Sequence, residues 1–331
     1  MFKQTLIIGL GLLGSSLAQA LRKHELSNAV VGCSRSAETV RKALKLGIIE
    51  GGSTEPTDFV KESDLIVFCL PMGIYAETAE KISDHLKSNA IITDVGSAKQ
   101  FVIDEVLPKL SAKQRSLFVP GHPIAGSEKS GPEAGDAGLF AGRKVILTPV
   151  EQTNKAICNK VEKMWSDIGA KVSYMSPDEH DEIYANVSHS VQFLAYVYRL
   201  AFPGQSKNPD ANFQRFFRIA KSNSSIWLDI FNANKDCLLK SLLEFRKSFI
   251  EQMDQVNANV RLPKVIANAA IKMAGDDKSY AGNGFKDFTS AAYDEVDCDQ
   301  TILDVPNFLS MLDTLSKALE KGDLKHYLPS S

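Results

Sequence analysis

The stretch Thr5-Leu6-Ile7-Ile8-Gly9-Leu10-Gly11-Leu12-Leu13-Gly14-Ser15 decides the fold. An apolar, β-branched run passes directly into three glycines spaced G-x-G-x-x-G, and residues 15–21 continue as a helical pattern. In that setting each glycine has a task. Gly9 allows a tight turn, Gly11 lets the backbone approach a pyrophosphate with no Cβ in the way, and Gly14 lets the helix pack closely on the strand. The helix start, at Leu12 and Leu13, offers N–H groups and a partial positive charge to the anion. Strand, glycine turn and helix in this order predict a dinucleotide-binding βαβ unit. A glycine-rich turn that binds nothing would not need that context.

Working outward, short apolar runs keep alternating with helical patterns: Ala29-Val30-Val31, Leu65-Ile66-Val67-Phe68-Cys69-Leu70, Ala90-Ile91-Ile92-Thr93-Asp94, Leu117-Phe118-Val119, Val145-Ile146-Leu147 and Lys171-Val172-Ser173-Tyr174. Runs this β-branched and this weakly alternating suit strands buried on both faces, hence a mostly parallel, doubly wound α/β sheet of the Rossmann type. Gly47 and Gly169 fall where helices should end. After Met175 the grammar changes. Ser176-Pro177-Asp178-Glu179 combines an N-cap, a proline at the first helical position and the glutamate of a capping box. Ile183, Val187, Val191, Leu194 and Tyr198 then recur at helical spacing, which predicts one long helix stopped by Ala201-Phe202-Pro203-Gly204. A second long helix is expected over about residues 225–256, with shorter ones near Pro263 and Pro306. The expected organisation is a dinucleotide-binding domain over residues 1–175 and an all-helical domain over residues 176–331.

Composition narrows the partners. The 331 residues carry 38 Lys+Arg against 40 Asp+Glu, a net charge of -2, which leaves no basic footprint for nucleic acid. No apolar stretch approaches the ~18 residues of a membrane span, and Met1-Phe2-Lys3-Gln4 runs straight into a strand with no cleavable leader, so a cytoplasmic protein is expected. The five cysteines are scattered singly, with no C-x-x-C pair, so zinc and thioredoxin-like chemistry lack their ligand spacing.

The cofactor choice turns on the end of the second strand. A ribose 2′-OH is normally bound by an Asp or Glu about 20 residues beyond the glycine turn. Here that position reads Ser34-Arg35-Ser36. A guanidinium between two hydroxyls suits a 2′-phosphate, so NADP is favoured over NAD; Arg35 as a solvated residue stacking on adenine, with either cofactor accepted, is the alternative.

Ligands of a doubly wound sheet bind at the carboxyl ends of the strands. The candidates there are Leu70-Pro71, Asp94-Val95-Gly96-Ser97-Ala98-Lys99, and the loop Gly121-His122-Pro123-Ile124-Ala125-Gly126-Ser127-Glu128-Lys129-Ser130-Gly131. A histidine wedged between glycine and proline does not belong to a helix face. It is either an acid/base group or a histidine capping a loop carbonyl.

Together, residues 9–14, the segment Thr93-Asp94-Val95-Gly96-Ser97-Ala98-Lys99, the loop at 121–131, Ser188-His189, Phe217-Arg218-Ile219-Ala220-Lys221-Ser222 and Trp227-Leu228-Asp229-Ile230 resemble the prephenate dehydrogenase family, which includes arogenate and cyclohexadienyl dehydrogenases. The resemblance spans residues 1 to about 260. It implies oxidative decarboxylation of prephenate to 4-hydroxyphenylpyruvate, or of arogenate to tyrosine, on a Rossmann domain joined to a helical dimerisation domain. It also implies roles: Asp94, Leu70 and Pro71 beside the cofactor, His122 as the base for the ring hydroxyl, Ser97 bonding that hydroxyl or orienting His122, and Arg218 as a fork for a substrate carboxylate. His189, on the polar side of its helix or else buried between helices, would position substrate or cofactor. Ser127 and Glu128 would lie near the substrate side chain, and Trp227 would reach the other subunit's site. Apolar residues on several helix faces, among them Leu238, Leu239, Leu242, Leu243, Phe245, Phe249 and Ile250, suggest a homodimer.

The sequence also departs from the family pattern. Phe217 replaces the usual Thr, and Ser224-Ser225 the usual Asp-Pro, which suggests a helix start capped by a hydroxyl. The segment Gly284-Phe285-Lys286-Asp287-Phe288-Thr289-Ser290 echoes the arginine motif with Ser290 in the arginine's place, and is expected to be extra helical structure. A β-hydroxyacid dehydrogenase would need a lysine in a glycine-rich helix start after residue 150, which is absent. A catalytically silent NADP sensor would have no use for His122, Ser97 and Arg218 together.

Overall fold

The computed structural model describes residues 1–126, 129–204, 211–254, 262–275, 279–292 and 305–328. The chain divides into two compact units, Met1–His180 and Asp181–Ser331. The division falls five residues beyond the expected boundary at 175, inside a helix.

In the first unit β1 (Phe2–Ile8), β2 (Ser27–Cys33), β3 (Gly51–Ser53), β4 (Leu65–Phe68), β5 (Ile91–Asp94) and β6 (Phe118–Val119) form a parallel sheet in the order β3-β2-β1-β4-β5-β6. Every residue of β4 and β5 is buried, as expected for strands covered on both faces. The helices of this unit are α1 (Leu12–Lys23), α2 (Ala37–Lys45), α3 (Thr57–Val60), α4 (Tyr75–Ser83), α5 (Ala112–Ser116) and α6 (Lys155–Asp167). β1 pairs with β2 on one side and β4 on the other, and the strand order reverses between β1 and β4, which opens the ligand crevice at their carboxyl ends. β3 was not legible: Gly51-Gly52-Ser53 has no β-branched residue, yet a Cβ at Gly52 would lie 2.5 Å from Val40 Cγ1, so helix packing requires the glycine. Gly47 ends α2 at φ +67 as expected, with its N–H on Leu44 O and that of Ile48 on Ala43 O.

One expectation needs correction. The strands at 144–147 and 171–174 do not extend the main sheet. β7 (Gly121–Pro123), β8 (Lys144–Leu147) and β9 (Lys171–Tyr174) form a second sheet in that order, with β7 antiparallel to β8. His122 is therefore not in a loop but in a short strand opposite Ile146, and Pro123 is tolerated because β7 is an edge.

The helical unit begins within α7 (Pro177–Tyr184). The expected long helix is interrupted: α7 passes through a π-helical stretch, Ala185–His189, into α8 (Ser190–Ala201). The Ser190 hydroxyl donates to Ala185 O at 2.7 Å, five residues back, and lies 2.6 Å from Ser241 Oγ. π-Bulges occur frequently at functional sites, and this one carries His189. Next come α9 (Ala211–Ile219), α10 (Ser224–Ala233), α11 (Lys235–Asp254), α12 (Leu262–Met273), α13 (Asn283–Thr289) and α14 (Val305–Lys321). The single helix expected over 225–256 is broken at Asn234. The start of α10 is capped by the Asn223 side chain, which accepts from Ser225 N and Ile226 N, in place of the expected hydroxyl. The tail is integral to this unit: Phe288 of α13 meets Phe216 at 4.4 Å between ring centroids, and Phe308 of α14 meets Phe249 at 5.4 Å.

Candidate active site

The turn after β1 is built for a close approach. Gly9 has φ +108, and a Cβ there would sit 2.2 Å from Cys69 O; a Cβ on Gly14 would sit 1.9 Å from Gly9 O and 3.1 Å from the Cys69 Cβ. These two glycines let β1, β4 and α1 pack. Gly11 differs: a Cβ there would meet nothing within 4 Å. Packing does not require that glycine, whereas a bound pyrophosphate would, so the turn fits a dinucleotide. No side chain caps α1 at Gly11 and its first turn has no acidic residue, while Arg22 and Lys23 close its last turn, which leaves the helix N-terminus to an anion. Leu12 and Leu13 are half-buried along that turn. Beside it, Leu70 is half-buried and Pro71 exposed at the end of β4.

At the end of β2, Arg35 is exposed, Ser34 half-buried, and the Ser36 hydroxyl accepts from Thr39 N at 3.2 Å as the N-cap of α2. Ser36 thus has a structural task, and the guanidinium stands at a second helix start. Burial pushes the nearby Cys33 thiol up to about 12, so it stays protonated.

Asp94, the last residue of β5, is fully buried. Its Oδ2 accepts from Gly96 N at 2.8 Å and from Lys99 Nζ at 2.5 Å, and its Oδ1 accepts from Gly121 N at 3.0 Å. Lys99, also fully buried, donates in addition to Gly121 O at 2.7 Å. The pair grips both the N–H and the C=O of the residue preceding His122. A buried ion pair is poor value as stabilisation, but here it fixes a backbone.

His122 is 9% exposed, and its Nδ1 lies 2.8 Å from Nε2 of the fully buried His180 in α7. The ring centroids are 5.0 Å apart with 62° between the planes. Ser97 is half-buried in the segment after β5. Ser127 and Glu128 lie outside the described residues.

In the helical unit His189 is 1% exposed, so it is not on a polar helix face; its Nδ1 lies 3.0 Å from Nδ2 of Asn234, which also donates to Asp181 O at 2.8 Å. Trp227, half-buried, stands edge-on to His189 at 6.3 Å within the same chain. Arg218 is exposed and ion-paired with Asp287 of α13, which gives the echoing segment a role that sequence alone did not. Sequence reasoning missed His180, Asn234 and Asp287, and left Lys99 a loop residue. Only Asp287 had a signal, its place in a repeat of the arginine motif.

A Rossmann unit with an anion-ready glycine turn, a buried histidine pair and a separate helical unit defines the class of dinucleotide-dependent dehydrogenases. Residues 17–174 match the model for the nucleotide-binding domain of prephenate dehydrogenase, and residues 176–267 that for its dimerization domain. The chain belongs to the prephenate dehydrogenase family. It is 34% identical over 255 residues to the cyclohexadienyl dehydrogenase of Zymomonas mobilis, covering 74% of this chain and 85% of the relative. To the prephenate dehydrogenase of Bacillus subtilis it is 32% identical over 269 residues, covering 76% and 71%. Among solved structures, that of Aquifex aeolicus prephenate dehydrogenase with hydroxyphenyl propionate and NAD+ is similar at a TM-score of 0.71 and 35% identity, covering 77% of this chain and 90% of that one.

Proposed function

We propose that the protein oxidatively decarboxylates prephenate to 4-hydroxyphenylpyruvate with a nicotinamide dinucleotide, and that the observation carrying this is His122, held by its backbone and its ring beside the ligand edge of a Rossmann sheet. The bound cofactor supplies the acceptor for the hydride that leaves the ring carbon bearing the 4-hydroxyl. As the C–H bond breaks, His122 takes the hydroxyl proton and the oxygen becomes a carbonyl. The ring carboxylate then leaves as CO2, and its bonding electrons run through the ring to the carbonyl oxygen. His122 returns its proton to that oxygen, so the histidine is neutral again after each turnover. Aromatisation is steeply downhill. The chain's larger task is therefore orientation, for which Arg218, His189, Ser97 and Trp227 are the proposed contacts.

Prephenate is preferred to arogenate as substrate because the relatives at 30% identity or more are named for prephenate or cyclohexadienyl substrates, while the Synechocystis arogenate dehydrogenase structure stands at 25%. Turnover on the two substrates side by side, with the product identified, tests this. Faster formation of 4-hydroxyphenylpyruvate is expected, and a chain that turns over neither refutes the proposal.

NADP is the proposed preference, supported by the exposed Arg35 at the start of α2 and the absence of a carboxylate at the end of β2. Ser34→Asp with Arg35→Ala should move kcat/KM toward NAD. A homodimer is proposed on the dimerization-domain match and on Leu243, 68% exposed; Leu238, Leu242, Phe245 and Phe249 are consumed inside the unit. Light scattering at micromolar concentration decides that point. A cytoplasmic setting is part of the same proposal: among the described residues no helix is long and apolar enough to cross a membrane, and Cys33, Cys69, Cys158 and Cys237 are free thiols.

A further inference from the structure

We infer that His180 is a positioning residue for the reaction: it fixes His122 in the tautomer that carries its proton on Nδ1 and leaves Nε2 bare to take the substrate hydroxyl proton. The inference rests on His122 as the base. With both imidazoles neutral, the 2.8 Å contact between His122 Nδ1 and His180 Nε2 holds one hydrogen, and there are two ways to place it. If His122 donates, its Nε2 keeps the lone pair. If His180 donates, the His122 proton sits on Nε2 and the ring accepts nothing from the substrate.

The chemistry selects the first arrangement. Once His122 has taken the hydroxyl proton, both of its nitrogens are donors, and Nδ1 needs an acceptor. A neutral His180 with a bare Nε2 provides one before and after the transfer, so nothing has to reorient during the step. The alternative arrangement would require both rings to exchange protons first.

Geometry supports a fixed partner. His180 is fully buried in the first turn of α7, where its N–H bonds Ser176 O at 3.0 Å and the Ser176 hydroxyl accepts from Glu179 N at 3.1 Å. On the other side, the Asp94–Lys99 grip on Gly121 fixes the strand that bears His122. Each ring is thus anchored through its own backbone, and the short contact joins two fixed points.

Nitrogen NMR of the 15N-histidine-labelled full chain tests the inference without turnover. The chain has six histidines, and the His122 signals are assigned by their loss in His122→Asn. The expected wild-type spectrum shows His122 protonated at Nδ1 and bare at Nε2; protonation at Nε2 overturns the inference. In His180→Phe the Nδ1 preference should be lost, and kcat on prephenate should fall roughly 10- to 100-fold with KM nearly unchanged, the size of effect seen when the orienting partner of a functional histidine is removed. His180→Gln, whose amide oxygen can accept from Nδ1, should restore the tautomer and bring kcat back to within a few-fold of wild type. It also carries the test if the phenylalanine variant does not fold. Unchanged kcat and unchanged His122 signals in His180→Phe, or a dead His180→Gln that retains the tautomer, would overturn the role. If His122→Asn keeps full kcat, the base is elsewhere, a result separate from the tautomer spectrum.

Discussion

Replacing Lys99 by methionine keeps most of the side-chain stem and removes the charge. In the native protein that ammonium donates to Asp94 Oδ2 at 2.5 Å and to Gly121 O at 2.7 Å, with both charged side chains fully buried. The variant leaves a buried carboxylate with only two backbone N–H donors, from Gly96 and Gly121. Breaking one side of such a pair costs about 3–5 kcal/mol, or roughly two to four decades in the folded-to-unfolded ratio. That is a large part of the ~5–15 kcal/mol that holds a typical domain together. Asp94→Asn combined with Lys99→Met should be less damaged than Lys99→Met alone, because it buries no charge and still presents an oxygen to Gly121 N. Urea unfolding followed by Trp165 fluorescence in a Trp227→Phe background reads the first unit alone, since the chain has two tryptophans and Trp165 is fully buried there. Function should suffer as well: a freed Gly121 lets His122 drift, and a misplacement of ~1 Å costs on the order of 100-fold in rate. A Lys99→Met protein within about 1 kcal/mol of wild type, below the cost of breaking a buried pair, would refute the reasoning.

Three further outcomes follow from the same geometry. Gly14→Ala should disrupt the turn, since its Cβ would sit 1.9 Å from Gly9 O, whereas Gly11→Ala, facing open space, should leave thermal stability unchanged and weaken dinucleotide binding in a calorimetric titration. Asp287→Asn should hardly change stability, because exposed ion pairs contribute about 0–1 kcal/mol, but by releasing Arg218 it should lower the KM for prephenate up to about fivefold, while Arg218→Ala raises it. Asn234→Ala removes a 4% exposed amide that bridges Asp181 O and His189 Nδ1, and should cost about 1–3 kcal/mol in urea unfolding of the helical unit.

The Rossmann unit was legible because its signals are local. The glycine spacing, the β-branched runs of β1, β4 and β5 and the helix-ending Gly47 each report on a few neighbouring residues. β3 escaped because its requirement is an absence of side chain imposed by Val40 across the sheet face. The site was half legible. His122 declared itself through its Gly and Pro neighbours, but its partner lies 58 residues away in a helix start whose pattern reads only as a cap. Asp94 stands at the end of β5 as the sequence places it, but its bonds to Gly96 N, Lys99 Nζ and Gly121 N join residues that the sequence does not show to be neighbours. In the helical unit a 3.6-residue period located the helix, although α8 is buried all round from Ser190 to Tyr198 and has no single apolar face there. It could not reveal a π-helical stretch, which changes the face His189 occupies without altering the apolar spacing that predicted the helix.

The central claim is that this chain oxidises prephenate with His122 as the proton acceptor, and steady-state nicotinamide reduction by wild type and His122→Asn tests it most directly. The wild type should reduce NADP or NAD in the presence of prephenate. His122→Asn should lose about 10²- to 10⁴-fold in kcat with little change in KM, the signature of a group that acts on the transition state. A His122→Asn enzyme with near-wild-type kcat would contradict the account.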